Sequence, residues 1–321
     1  MNAASGLVVA ASHAQQRLWF LHHAAADRNA LTLSGGVRIS GALDPADVAA
    51  AVRSAGTRHE VLRSAFRMLD GVLYQEITTA PPEVACVDVS ADPARVEVLA
   101  AADAGEPFDL TRAPLIRFTL VRVGPEQHVL LVSAHHVITD AWSLELLTAE
   151  VAAGLRARRE GHHLSATPPE LQYADYAAWQ DEQLASEEFA EQVSWWQHQL
   201  AGAPRLVLPS TRVPAGPSPV VAGLSLVLDQ GRTAALRAIA EGAGGSMSTT
   251  LLATFHATFA RLTRQHDLVL GSTVAGRTDQ PRHRDDAGLV RQHGRRPAAD
   301  RRHRRFLPAR GPGSPGLRPG L

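Results

Sequence analysis

Two adjacent histidines and a nearby aspartate, His135, His136 and Asp140, are the residues whose types and spacing suit chemistry in this chain. An imidazole takes or gives a proton near neutral pH, and a carboxylate orients it or holds a cation. The pair follows the apolar run Val129–Val132, which reads as a buried strand. A helical pattern, Leu144, Leu146, Leu147 and Val151, sets in at Trp142. Strand, polar turn and helix put the imidazoles at the tip of a rigid element, beside a loop open to a substrate. Successive strand residues point to opposite faces, so one imidazole turns inward and the other outward. Asp140 is close enough to fix the turn by a local hydrogen bond, or to pair with an arginine from elsewhere. Three readings fit these residues: an acid–base site, a packed turn, or part of a metal site. No third-ligand pattern accompanies the last, and no metal is expected.

The elements that must position this cluster can be read along the chain. Residues 1–11 form a small, apolar lead-in. Ser12 and Gln15 make a capping box, and a helix follows through Ala14, Leu18, Trp19, Leu21 and His22. Leu31 to Ile39 alternates as a strand. Asp44-Pro45 starts a helix that turns Val48, Ala51 and Val52 inward. Asp70-Gly71 marks a hairpin between the strand entered at Phe66 and a return strand, Val72 to Ile77. A short strand at Val87–Val89 and a helix from Pro93 to Ala102 precede Ile116–Val123, which pairs antiparallel with the strand of the histidines. Tyr173 to about Leu200 reads as one long helix. The Pro- and Gly-rich stretch 209–222 is a linker. Beyond it come a strand at Leu224–Leu228, helices at Arg232–Glu241 and Ser248–Arg264, and a buried strand at Asp267–Val274 closed by Gly276-Arg277.

Composition narrows the class. The chain has 321 residues, 45% of them hydrophobic, with no apolar run that would span a membrane. The N-terminus has no basic region before its apolar patch, so no secretory signal is expected. The single cysteine, Cys86, excludes an internal disulfide, fits a cytoplasmic location and reads as core filling. Net charge is zero, but nine of the 32 basic residues lie in 289–321 against one of the 32 acidic ones. Residues 1–288 therefore carry 23 basic and 31 acidic groups. Every basic residue is arginine. A basic run such as 289–321 ordinarily reads as a solvated tail or a nucleic-acid arm.

Four stretches, taken together and in order, resemble the condensation domains of non-ribosomal peptide synthetases. Ser12-His13-Ala14-Gln15-Gln16-Arg17-Leu18-Trp19-Phe20-Leu21 is similar to the family's S-x-A-Q-x-R-L-W-x-L, and Arg58-His59-Glu60-Val61-Leu62-Arg63-Ser64-Ala65-Phe66 to R-H-E-x-L-R-T-x-F. His135 to Ser143 is similar to H-H-x-x-x-D-G-x-S, and Tyr173 to Trp179 to Y-x-D-Y-A-x-W. The resemblance implies an α/β (α+β) fold like chloramphenicol acetyltransferase, with two lobes of mixed sheet and helix meeting in a V around a tunnel. It implies a first lobe at 12–165, a connecting helix and linker at 166–222, and the start of a second lobe at 223–288.

The implied reaction joins an upstream acyl or peptidyl thioester to the amine of a downstream aminoacyl thioester. The substrates ride on the 4'-phosphopantetheine arms of carrier proteins, and the domain binds no cofactor itself. Upstream and downstream peptidyl carrier proteins and adjacent synthetase domains are the implied partners, with no nucleic acid and no membrane. His136 would be the catalytic imidazole. His135 and Asp140 would be structural, with Asp140 paired to Arg277, and Ala141, Trp142 and Ser143 would border the tunnel. Trp19, Phe66, Tyr176 and Trp179 read as core. A non-catalytic remnant or carrier-docking module, and a free-standing acyltransferase of the same fold, are the alternatives.

Two departures stand out. Ala141 occupies the family's glycine, adding a methyl group beside the tunnel. Further on, Gly288-Leu289-Val290-Arg291-Gln292-His293-Gly294 stands where a G-x-F-V-N-T motif is expected. Codons exist for this stretch that, read one base later, spell Ala-Trp-Phe-Val-Asn-Thr. A frameshift near Gly288 is therefore expected, leaving 289–321 an out-of-frame tail and the second lobe truncated. DNA sequence across that point decides it.

Overall fold

The computed structural model describes residues 6–164, 167–209 and 225–272, in two units, 6–186 and 187–272. In chain order the first contains β1 (Leu7–Ala10), α1 (His13–Ala24), β2 (Thr32–Ser40), α2 (Pro45–Arg58), a 3-10 turn (Glu60–Arg63), β3 (Ser64–Leu69), β4 (Val72–Ile77) and β5 (Val84–Asp88). It continues with α3 (Arg95–Gly105), β6 (Ile116–Gly124), β7 (Gln127–His135), α4 (Ala141–Arg159) and α5 (Tyr173–Leu184). The second contains α6 (Glu187–Leu200), α7 (Gln230–Gly242) and α8 (Met247–Thr263).

Local chemistry fixes several of these elements. Ser12 caps α1 by accepting from the Gln15 amide, and the Gln15 side chain accepts in return from the Ser12 amide. Asp44 caps α2, with Pro45 as its first residue. Asp70 and Gly71 both take positive φ, 49° and 81°, so β3 and β4 are joined by a type I′ turn whose twist matches the hairpin.

The strands make two sheets. One is β1-β4-β3, all antiparallel. The other is β2-β7-β6-β5, with β7 antiparallel to both neighbours and β5 parallel to β6 through the α3 crossover. Both faces of the larger sheet are covered. On one, Ile116, Phe118, Leu120, Leu130 and Ala134 join a core with Val48, Ala51 and Val52 of α2 and Leu147 and Val151 of α4. On the other, Val121, Val129 and Leu131 pack with Val96, Leu99 and Ala100 of α3. The helices α2 and α4 come so close that a Cβ on Gly154 would lie 3.0 Å from that of Ala51.

A polar brace joins α2, α4 and α5. His59 is buried and its Nε2 meets both carboxylate oxygens of Glu150, at 3.0 and 2.9 Å. Gln172, before α5, accepts from the Glu60 amide and donates to the Arg58 carbonyl. Burial pushes the Glu150 carboxyl up, but the His59 hydrogen bond and the His59 and Arg58 charges outweigh it, leaving it below its ordinary 4.5. A depressed carboxyl contributes stability that is complete above its unfolded pKa and lost as pH falls through its folded one. Glu150→Gln should thus lower the melting temperature at pH 6, a loss of about 1–3 kcal/mol for a charge-assisted bond. The gap to the unsubstituted chain should narrow only as pH falls below the ordinary 4.5 of the carboxyl, through its lowered folded value; a gap that never narrows as the solution is acidified would remove this brace.

Several local expectations are corrected. The lead-in includes β1, which pairs Leu7–Ala10 with Ile77–Tyr74; four residues are too few for an alternation to be read, and the partner strand makes the element. Cys86 is exposed, not core: β5 is an edge strand, and only Val84 and Val87 of it pack against the two clusters. The short strand lies at Val84–Asp88 instead of Val87–Val89. The expected long helix is two, broken at Ala185-Ser186, where the Ser186 hydroxyl and amide both turn back to the Gln183 carbonyl. Residues 225–229 form no strand, and Leu226 and Val227 are exposed, because no described strand pairs with them. Asp267 makes a single bridge and 268–272 no strand, although Leu268 is buried.

Candidate active site

The site is a turn between β7 and α4 held from several directions. The strand ends inside the histidine pair, so His135 closes β7 and His136 begins the turn. The His135 amide donates to the Leu115 carbonyl at 3.0 Å, and the His136 amide to the Leu31 carbonyl at 2.8 Å. The Ile138 amide returns to the His135 carbonyl at 3.1 Å. Val137, Ile138 and Thr139 are buried, while His136 is half-buried.

The two imidazoles have opposite situations. His135 is 0% exposed, ringed by His22 and Phe108. Burial first, then the nearby His22 and His136, lowers its pKa to about 3, so it is neutral near neutral pH. Its Nδ1 accepts from the Val137 amide at 3.1 Å and its Nε2 lies 3.2 Å from His22 Nδ1. His136 places Nδ1 2.6 Å from the Thr139 carbonyl oxygen. A carbonyl only accepts, so Nδ1 carries the proton and Nε2 of the neutral ring holds a lone pair. Among the described residues no hydrogen bond occupies that Nε2. The ring is thus set in one tautomer with its basic nitrogen open.

Asp140 serves the helix that follows. Its carboxylate Oδ1 accepts from the Ser143 amide at 2.8 Å and the Ser143 hydroxyl at 2.7 Å, capping α4. Asp140 therefore fixes where the helix begins, and with it the exit of the turn. Ser143 is buried by this contact, whereas Ala141 and Trp142 are exposed on the first turn, Trp142 at 42%. Arg277, the expected partner of Asp140, lies outside the described residues, as do Gly288 and the basic tail. Of the four aromatics read as core, Phe66 and Tyr176 are fully buried, and Trp19 and Trp179 pack half-buried against the same cluster. Among the described residues, no group of three or more His, Cys, Asp or Glu side chains is arranged to hold a metal. None of their helices is long and apolar enough to cross a membrane.

One further residue joins the site with no role assigned to it from sequence. His22 is buried at the end of α1 against His135. A signal existed: Ala14, Leu18 and His22 repeat at i, i+4, and all three are buried on one face.

A family model described as Condensation domain matches residues 7–290. One of the chains of linear gramicidin synthase from Brevibacillus parabrevis is 34% identical over 281 residues, 84% of this chain and 4% of that protein. Phosphinothricin tripeptide synthetase PhsC of Streptomyces viridochromogenes is 33% identical over 278 residues, 83% of this chain and 25% of that protein. The chain thus spans a quarter or less of the length of these relatives. Among solved structures, the X-domain from teicoplanin biosynthesis superposes with a TM-score of 0.78 at 29% identity, over 91% of this chain and 65% of that one. The same X-domain in complex with OxyB gives 0.76 at 30% identity over the same shares.

Proposed function

The chain belongs to the condensation-domain family, with its mixed α/β fold, and from that premise we propose that His136 is the base of an amide-forming acyl transfer between two thioesters. The donor is an acyl or peptidyl thioester and the acceptor the amine of an aminoacyl thioester. Both are carried on 4'-phosphopantetheine arms of carrier proteins, upstream and downstream, within a peptide synthetase. The relatives' names, a gramicidin synthase and a tripeptide synthetase, support the product class.

The observation that carries this reading is the 2.6 Å contact between His136 Nδ1 and the Thr139 carbonyl oxygen. With Nδ1–H given to the Thr139 carbonyl, Nε2 is the lone-pair nitrogen. As the acceptor amine adds to the thioester carbonyl carbon, Nε2 takes the proton from the amine nitrogen. The imidazolium that forms is stabilised by the Thr139 carbonyl, whose hydrogen bond strengthens when the ring is charged. Collapse of the tetrahedral adduct breaks the carbon–sulfur bond, and the proton passes from Nε2 to the departing thiolate. An amide and a free thiol result.

His135 and Asp140 act through position: one anchors the Val137 amide, the other caps α4. Ala141, Trp142 and Ser143 follow directly, the first two exposed and Ser143 buried. The experiment that tests the reading is turnover with two loaded carrier proteins and the His136→Ala control.

A second reading has one observation in its favour. The teicoplanin X-domain was solved bound to OxyB, so a domain of this fold can act by holding another protein. Under that reading His136→Ala leaves function intact, and partner binding is the measurable property.

A further inference from the structure

Resting on the role proposed for His136, we infer that His22 is a positioning residue for it, acting through His135 and the Val137 amide. The tautomers follow from which atoms can donate. The Val137 N–H is a donor, so His135 Nδ1, 3.1 Å away, must present its lone pair. The proton of the neutral ring is then on Nε2, which faces His22 Nδ1 at 3.2 Å. His22 Nδ1 must therefore be the acceptor, and the proton of His22 sits on its Nε2. The three groups form one relay, Val137 N–H to His135 and His135 N–H to His22, and the His135 tautomer is held from both ends.

This relay tolerates no change of proton count. A proton placed on His22 Nδ1 would face His135 Nε2–H. To relieve that clash His135 would have to move its proton to Nδ1, where it meets the Val137 N–H. Either the link between the rings or the link to the turn is lost. Burial opposes that charging of both rings, with His23 and Arg28 adding to it at His22 and Asp109 acting the other way. At His135, His22 and His136 add to the burial. His22 and His135 are 2% and 0% exposed.

The consequence reaches His136 because the turn is short. Val137 follows it directly, and the Val137 amide ends on a side chain, whereas its neighbours at His136 and Ile138 end on backbone carbonyls. Losing that acceptor frees the peptide between His136 and Val137 to rotate, and Nε2 of His136 moves with it. Misplacing a catalytic group by about 1 Å costs on the order of 100-fold.

The test uses the full chain with ¹⁵N-labelled histidine and two substitutions. His22→Leu keeps bulk and removes the acceptor. His22→Asn offers an amide oxygen near the place of Nδ1. Long-range proton–nitrogen correlation spectra read the His135 tautomer, assigned by comparison with His135→Gln. Expected is a proton on His135 Nε2 in the unsubstituted chain and in His22→Asn, and a mixed or reversed tautomer in His22→Leu. In carrier-protein turnover, His22→Leu should lower kcat about 10- to 100-fold with KM nearly unchanged, and His22→Asn should stay within about 3-fold. A proton on His135 Nδ1 in the unsubstituted chain overturns the inference, as does His22→Leu with ordinary tautomer and kcat. Should His22→Leu fail to fold, the tautomer in the other two chains decides. If the unsubstituted chain forms no amide at all, the function proposed for His136 fails, while the spectra still decide whether His22 sets the tautomer.

Discussion

His136→Ala should lower the rate of amide formation between two loaded carrier proteins by about 10²- to 10⁴-fold, the usual contribution of a positioned general base. The ring is half-buried and is tied to the fold by one hydrogen bond from its own Nδ1, so its removal should leave the fold in place. An unchanged melting temperature separates loss of a base from loss of structure. Within the histidine pair His135 cannot take over the proton acceptance of Nε2, since it is sealed and committed to Val137 and His22. Turnover within about 3-fold of the unsubstituted chain would show that no proton passes through His136 in the rate-limiting step, and would favour the protein-docking reading.

Phe66→Ala should cost about 3–5 kcal/mol of stability, the range for emptying a buried aromatic site. Phe66 is 0% exposed, lies on β3 beside the hairpin, and packs in the cluster that joins α2, α4 and the larger sheet. Its amide also donates to the Leu110 carbonyl at 2.7 Å, so the surrounding backbone is held and cannot readily close on the void. For a unit of this size that loss lowers the melting temperature by roughly 10 °C. Phe20→Ala is the matched control, since Phe20 is 66% exposed and its removal should shift stability by less than about 0.5 kcal/mol. Equal melting temperatures for the two variants would contradict the assignment of Phe66 to the core.

How much of this was legible in the sequence depends on the range of the interaction. The Ser12 capping box, the Asp44-Pro45 start and the Asp70-Gly71 turn are local, set by residues within four positions, and each forms as read. The helix break at Ser186 was also written locally, as a serine followed by Glu187 and Glu188, a start signal inside an otherwise continuous pattern. Pairings that need a distant partner were not legible. β1 exists because β4 is beside it, and β5 runs parallel to β6 only through the crossover at α3.

The histidines show the same limit. Alternation said that one ring turns in, but not which, because both faces of β7 are buried. The strand's end at His135, set by amides reaching Leu115 and Leu31, decides it. His22 could be read as a helical residue; nothing local tied it to a ring 113 positions away.

The turn that carries His136 is a loop by shape but is not fastened like one. Its consecutive amides end on four acceptor atoms of three residues: the Leu115 and Leu31 carbonyls and the ring and carbonyl of His135. A local fluctuation that frees one leaves three engaged, so no small excursion exposes the segment. Its solvent exchange should then be governed by cooperative opening of the sheet beneath it, even where loss of a single link shifts the His136 ring.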